Sequence, residues 1–259
     1  MDTVRMILSI AAHNKWKISQ LNVKSTFLQG EIEEDVYVAQ PPGFKVIGKE
    51  HYVYKLHKTF YGLKQAPRAW FSKIEAHFMM NGFKNSDNEQ TLFTKRSETR
   101  SIIIVSLYVD YLIYTGDDNE MMMKFKESMV KVFDMLDFGN MKYFLGIEVK
   151  QTQAGIFICQ IKYAEEILKK FDMDDCNSVL CPMLLRTTFD KDVEGRLIDE
   201  TYYKQIVGNL MYLTNTRLDM IFSVSILSRF MSRPTELHFQ LAKRVLRYLK
   251  GTTDYGIYY

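Results

Sequence analysis

Ser106-Leu-Tyr-Val-Asp-Tyr-Leu-Ile-Tyr114 is an apolar, strand-like run with one carboxylate, Asp110, at its centre. The residues leading into it, Ser101–Val109, are rich in Ile, Val and Tyr, side chains that suit a pleated and buried surface. Leu112–Thr115 continues the pattern beyond Asp110, so the segment predicts a β-hairpin with Asp110 at its tip. A carboxylate among apolar neighbours is costly unless it is paired or bound to a cation. Two readings follow, a metal ligand held at the tip of the hairpin or an ordinary turn aspartate, and the segment alone leaves both open.

The flanking sequence supplies partners for this hairpin. Thr3–His13 has helical periodicity, with Val4, Ile7, Leu8 and Ala11 along one side, and Trp16–Val23 alternates as a strand. Ser25–Gly30 predicts a short helix, and Gln40-Pro-Pro-Gly43 is loop. Pro67 opens a helix that reaches about Asn81, with Gly82 as its stop. Thr91–Lys95 predicts the strand before the hairpin. Asp117–Phe133 is an amphipathic helix with Met122, Phe125, Met129 and Phe133 towards the core. Tyr143–Val149 and Gly155–Ile161 predict two more strands, joined by a turn at Thr152–Gly155. Cys176–Asp199 has weak periodicity and carries Pro182 and Gly195, which predicts a linker. Helices over Asp199–Leu213, Leu218–Met231 and Thr235–Leu249 close the chain. The fold class expected is α+β: a mixed body over 1–175, a linker over 176–198 and an all-helical end over 199–259.

Composition sets the class. The 259 residues are 47% apolar and 25% charged, ordinary for a globular protein with a sizeable core. The longest apolar run, around Ile102–Val109, is far too short to span a bilayer, and no signal-peptide pattern opens the chain. Cys159, Cys176 and Cys181 lack paired spacing and read as reduced thiols, so the expected location is intracellular. From Tyr203 onward there are eight Lys/Arg against three Asp/Glu, a net of +5 within an overall +3. A polyanionic partner is expected to contact that part.

Several longer motifs stand in fixed order: Leu21-Asn-Val-Lys-Ser-Thr-Phe-Leu28, Tyr37-Val-Ala-Gln-Pro-Pro-Gly-Phe44 and Phe60-Tyr-Gly-Leu-Lys-Gln-Ala-Pro-Arg-Ala-Trp70. Tyr143-Phe-Leu-Gly-Ile-Glu-Val149, Ser228-Arg-Phe-Met231 and Lys243-Arg-Val-Leu-Arg-Tyr-Leu-Lys-Gly251 complete the set. Together with the hairpin they resemble the reverse transcriptase of copia-type LTR retrotransposon polyproteins. The resemblance implies a palm, an antiparallel sheet with helices on one face, with partial fingers, followed by a helical thumb or connection region. It implies RNA-directed DNA synthesis on an RNA template and a DNA primer from deoxynucleotides. It also implies Mg²⁺ or Mn²⁺, hard ions that prefer oxygen ligands. The family holds the metals with three aspartates, whose matching positions here are Asn22, Asp110 and Tyr111. Only Asp110 keeps the carboxylate, and one carboxylate leaves most of the +4 charge of two metals uncompensated. This copy is therefore expected to be catalytically impaired, with a non-catalytic nucleic-acid-binding remnant or a functionless fragment as the alternative.

The resemblance assigns further roles. Phe27 matches an aromatic that blocks a ribose 2′-hydroxyl, and without the resemblance it reads as a core phenylalanine. Thr26 stands where the family usually has alanine, and Gln65 matches a glutamine that touches the incoming nucleotide. Lys64 and Arg68 are within reach of phosphate or are solvated loop charges. Phe144-Leu-Gly-Ile147 matches the primer grip. Lys243, Arg244, Arg247 and Lys250 fall on one helical face, suited to tracking a phosphate backbone, against the plainer reading of a solvated face. Gly116-Asp-Asp118 lies about 20 Å from the hairpin tip at ~3.3 Å per residue, too far to replace the missing carboxylates, and Asp117 is expected as a helix cap or first-turn charge. The family's upstream fingers and ribonuclease H lie outside this sequence, which is expected to be a piece of a polyprotein. By the same resemblance its location would be a cytoplasmic virus-like particle.

Overall fold

The computed structural model describes residues 2–183 and 191–259. The chain divides into two compact units, Asp2–Met141 and Lys142–Tyr259. The N-terminal unit runs α1 (Asp2–Asn14), β1 (Ile18–Val23), a 3₁₀ turn (Thr26–Gln29), β2 (Tyr37–Ala39), β3 (Val53–Lys55) and α2 (Ala66–Met80). It continues with β4 (Lys84–Asn85), β5 (Leu92–Arg96), β6 (Ile102–Tyr108), β7 (Tyr111–Gly116), α3 (Asn119–Val132) and β8 (Met135–Asn140). Six strands form one sheet in the order β4-β5-β6-β7-β1-β8, antiparallel throughout, while β2 and β3 pair only with each other.

Strand side chains alternate between faces, and both parities are buried near the centre of this sheet. Leu21, Ile103, Val105 and Leu112 pack against Trp70, Ile74 and Phe78 of α2 and Phe125 and Met129 of α3. Ile18, Gln20, Ile104, Ile113 and Thr115, of opposite parity, are buried as well, and α1 touches β6 and β7. Helices therefore serve both faces, not one as expected. The reason lies in β6 and β7 themselves: an uninterrupted apolar run needs cover on both sides.

β8 was not expected. Its residues are almost all exposed, so no apolar alternation marks it. It is a strand because β1 offers it a free edge, with a register shift between Gln20 and Leu21. The Gly116-Asp-Asp118 reading also needs correction. Asp118, not Asp117, caps α3, its Oδ1 accepting from the backbone N–H of Glu120 at 2.8 Å. Asp117 instead accepts from the Ile102 N–H at 2.8 Å. Both lie at the end of β7 remote from the hairpin tip.

The C-terminal unit runs β9 (Tyr143–Phe144), β10 (Ile147–Gln151), β11 (Ile156–Cys159), α4 (Ile161–Lys170), α5 (Glu200–Leu213) and a 3₁₀ turn (Leu218–Met220). Then come α6 (Ile221–Ser228), α7 (Glu236–Lys250) and β12 (Gly256–Tyr258). The strand expected over Tyr143–Val149 is two strands, because Leu145 and Gly146 have φ of 46° and 74° and turn the chain back on itself. The all-helical end is likewise corrected, since β12 closes a four-stranded sheet ordered β12-β11-β10-β9. α4, also unexpected, buries Ala164, Ile167 and Leu168 against Leu210 of α5 and Val245 of α7. This packing ties 142–175 to the later helices, so the contacts divide ahead of the linker expected at 176–198. Residues 184–190 of that linker lie outside the described residues. Asp199 caps α5, accepting from the Thr201 N–H at 2.8 Å. Buried Arg217 forks onto Asp219 and donates to Thr252 at 2.8 Å, joining the second 3₁₀ turn to the end of α7. No helix among the described residues is long and apolar enough to cross a membrane.

Candidate functional site

β6 and β7 are joined by two residues, Val109 and Asp110, with Tyr108 and Tyr111 as the last paired rung. Val109 has φ 55°, a left-handed conformation that a β-branched side chain adopts only under constraint. The constraint comes from both flanks. The indole N–H of Trp70, on α2, donates to the Val109 carbonyl at 2.7 Å. The N–H of Val23, at the end of β1, donates to the Asp110 carbonyl at 2.8 Å.

The β1–β7 register sets Asn22 directly opposite Tyr111. The three positions Asn22, Asp110 and Tyr111 are thereby brought together, each half-buried. Asn22 Nδ2 donates to Asp110 Oδ2 at 2.7 Å and lies 3.4 Å from the Asp110 carbonyl oxygen. Both neighbours are acceptors, so the amide turns its NH₂ towards them and its carbonyl away.

Thr26 and Phe27 stand beside this turn on the first 3₁₀ segment, which packs closely on α2. A Cβ on Gly30 would lie 2.9 Å from the Ala69 Cβ, and Lys73 Nζ donates to the Gln29 carbonyl at 2.8 Å. The Thr26 hydroxyl donates to the Val23 carbonyl at 2.9 Å and is buried. The Phe27 ring is half-buried, 5.9 Å from that of Tyr61. Thr26, Phe27, Tyr61, Val109 and Asp110 line one open groove of about 550 Å³. Gln65 lines another, of about 480 Å³, with Glu31, Glu33, Glu34, Arg68 and Lys73. Gln65 is thus not brought into the groove of Thr26 and Phe27.

On α7 the four basic residues have different surroundings. Lys243 is exposed, its ammonium 4.3 Å from the Phe239 ring centre. Arg244 is half-buried, and its Nε is buried with no hydrogen-bond partner among the described residues. Arg247 donates from Nε to the Asn177 carbonyl at 2.7 Å, fastening the segment that follows α4. Lys250 is exposed and shares a groove with Lys169, Asp174 and Asp175. The basic stripe is therefore partly engaged in holding this unit together.

Over residues 1–185 the chain matches the family described as reverse transcriptase (RNA-dependent DNA polymerase). The chain belongs to the reverse transcriptase family. It is 39% identical over 256 residues to a retrovirus-related Pol polyprotein from transposon RE1 of Arabidopsis thaliana, covering 99% of this chain and 17% of that polyprotein. To the corresponding polyprotein from transposon TNT 1-94 of Nicotiana tabacum it is 36% identical over 262 residues, 98% of this chain and 20% of that one. A transposon Ty5-1 protein of Saccharomyces cerevisiae is 31% identical over 241 residues, 92% of this chain and 78% of that protein. The chain spans about a fifth of the length of the two plant polyproteins.

Reverse transcriptases generally use divalent metal ions, and the residues at this hairpin do not fit a pair of them. One carboxylate is present, an amide N–H is directed at it, and a phenol stands opposite that amide. Among the described residues, no group of three or more His, Cys, Asp and Glu is arranged to hold a metal ion. Two residues that shape this reverse transcriptase hairpin were not singled out from the sequence: Trp70, which pins the turn, and Tyr61, which faces Phe27. Both stand within the motif Phe60–Trp70, so the signal was present. What was missing was the fold that carries that motif to the hairpin.

Proposed function

We propose that this chain is the polymerase domain of a copia-type reverse transcriptase, RNA-directed DNA polymerase by descent, whose chemistry is silenced at Asn22 and Tyr111. The observation that carries the reading is the 2.7 Å hydrogen bond from Asn22 Nδ2 to Asp110 Oδ2. That N–H takes up one lone pair of the single carboxylate where a ligand oxygen would be needed, and Tyr111 supplies no second carboxylate. The unit Asp2–Met141 acts as the palm, and the hairpin around Leu145 and Gly146 as the primer grip. Phe27 borders the sugar of a bound deoxynucleotide in the groove it shares with Thr26, while Gln65 lines a separate groove. Primer extension on a primed RNA template, with Mg²⁺ and separately with Mn²⁺, tests this. The unaltered chain gives no product, and the double change Asn22→Asp with Tyr111→Asp restores synthesis. Extension by the unaltered chain would overturn the proposal.

A second reading, nucleic-acid binding without chemistry, draws support from Arg244. Its Nε is buried with no hydrogen-bond partner among the described residues, and Lys243 and Lys250 of the same helix are exposed, so a phosphate oxygen would pair the guanidinium once its side chain turns outward. On this reading an RNA–DNA hybrid binds with a steep salt dependence, and each lost phosphate contact lowers the logarithmic slope by about 0.9. Combined charge reversal of Lys243 and Arg244 with no change in affinity or slope would sink it.

A further inference from the structure

Between α2, α3 and the ends of β5 and β6 farthest from the hairpin lies a cavity of about 110 Å³. Ile103 lines it and pairs with Gly116, five rungs from the pairing of Tyr108 with Tyr111. At ~3.3 Å per residue this is about 17 Å along the sheet from Asp110, so the cavity is separate from the site already described. Its inner wall is apolar: Phe78, Phe83, Ile103 and Phe125, with Met121 at the side. Such a wall holds a void open at a cost unless something fills it.

The mouth is of different character. His77, Asn81 and Ser128 form one polar edge. The Ser128 hydroxyl lies 3.1 Å and the Asn81 Nδ2 3.3 Å from the same imidazole Nε2. Asn81 can only donate there, so Nε2 is the unprotonated acceptor. Burial holds the imidazole below its ordinary value, which agrees with a neutral ring. Positive charge at the mouth therefore comes from Lys95 and Lys124. Lys124 is paired with Glu120 at 2.6 Å, whereas Lys95 forms no salt bridge among the described residues and rests its ammonium 5.8 Å from the Phe83 ring centre. An apolar pocket whose lip carries a cation without a carboxylate partner among the described residues selects a small anion with an apolar body.

We infer that this cavity binds a small monocarboxylic acid, its ring or branched chain against Phe78, Phe83 and Phe125 and its carboxylate at Lys95. At about 110 Å³ the cavity is smaller than the ~150 Å³ that encloses benzene, so the apolar body enters only in part and the carboxylate stays outside at the lip.

Phenylacetate is a suitable probe, titrated into the full chain carrying ¹³C-labelled Ile and Met methyl groups. The Ile103 and Met121 methyl signals shift, with a dissociation constant on the order of a millimolar for a ligand of this size. Phenylacetamide, which keeps the ring and loses the charge, binds about fivefold to tenfold more weakly. Lys95→Met, a change at a half-buried position of an intact strand, removes this preference and leaves amide binding as it was. Ser128→Leu fills the mouth and abolishes both. Unmoved Ile103 and Met121 signals, equal binding of acid and amide by the unaltered chain, or a preference that survives Lys95→Met would each overturn the inference.

Discussion

Changing Asn22 to aspartate probes the hairpin without any need for catalysis. The substitution turns a 2.7 Å N–H···O contact into an encounter of two carboxylate oxygens. The lost hydrogen bond to a charged acceptor is worth about 1.5–3 kcal/mol. Repulsion at this separation would add on the order of 5 kcal/mol at an effective dielectric of about 20. Both side chains are only half-buried, so rotation and solvent screening remove most of that repulsion. A net loss of about 2–3 kcal/mol remains, which lowers the melting temperature of the N-terminal unit by roughly 6–10 °C in the presence of EDTA. A divalent cation between the two carboxylates reverses the repulsion. Scanning calorimetry of the Asn22→Asp chain should therefore show several degrees recovered on adding Mg²⁺ or Mn²⁺, while the unaltered chain gains none. A comparable gain in the unaltered chain, or an Asn22→Asp chain as stable as its parent in EDTA, would refute the account of this site.

Other perturbations test the scaffold. Burial holds His77 below its ordinary value, so the unfolded chain takes up the proton first. Stability is then full above about pH 6.5 and falls as the pH drops from there towards the folded value, and His77→Gln should flatten urea midpoints across that window. Burial alone would raise Asp219, but hydrogen bonds from Arg217 and Tyr248 more than offset it and hold it below its ordinary value. Its contribution is present above about pH 4 and is lost as the pH falls through the folded value. Arg217→Met leaves that carboxylate, itself 35% exposed, with only the Tyr248 hydroxyl and should cost the C-terminal unit about 1.5–3 kcal/mol by denaturant titration. Gly30→Ala forces the first 3₁₀ segment off Ala69, costing about 1–3 kcal/mol and shifting the ring signals of Phe27 and Tyr61.

The hairpin was legible because β6 and β7 are buried on both faces and so read as apolar without interruption, with Asp110 as the single break. Helix ends were legible where a side chain does the capping, as Asp199 does for α5, or where Pro67 fixes the first turn of α2. β8 and β12 left no such trace, since their residues are largely exposed and only the neighbouring strand makes them strands. α4 did carry a signal, with Ala164, Ile167 and Leu168 at helical spacing, but assigning Ile161 to a strand absorbed its first turn. The site divides in the same way. That Asn22 and Tyr111 stand where carboxylates would be expected is a matter of residue identity, which a sequence states directly. What Asn22 does there depends on register and on the Asp110 backbone. An asparagine facing open space could offer its carbonyl to a cation. Here the Asp110 carbonyl and carboxylate both face the same amide, and two acceptors on one side leave only the NH₂ orientation. The residue that could have been a weak ligand is thereby turned towards Asp110 as a donor, and restoring a carboxylate at Tyr111 alone would not remove it.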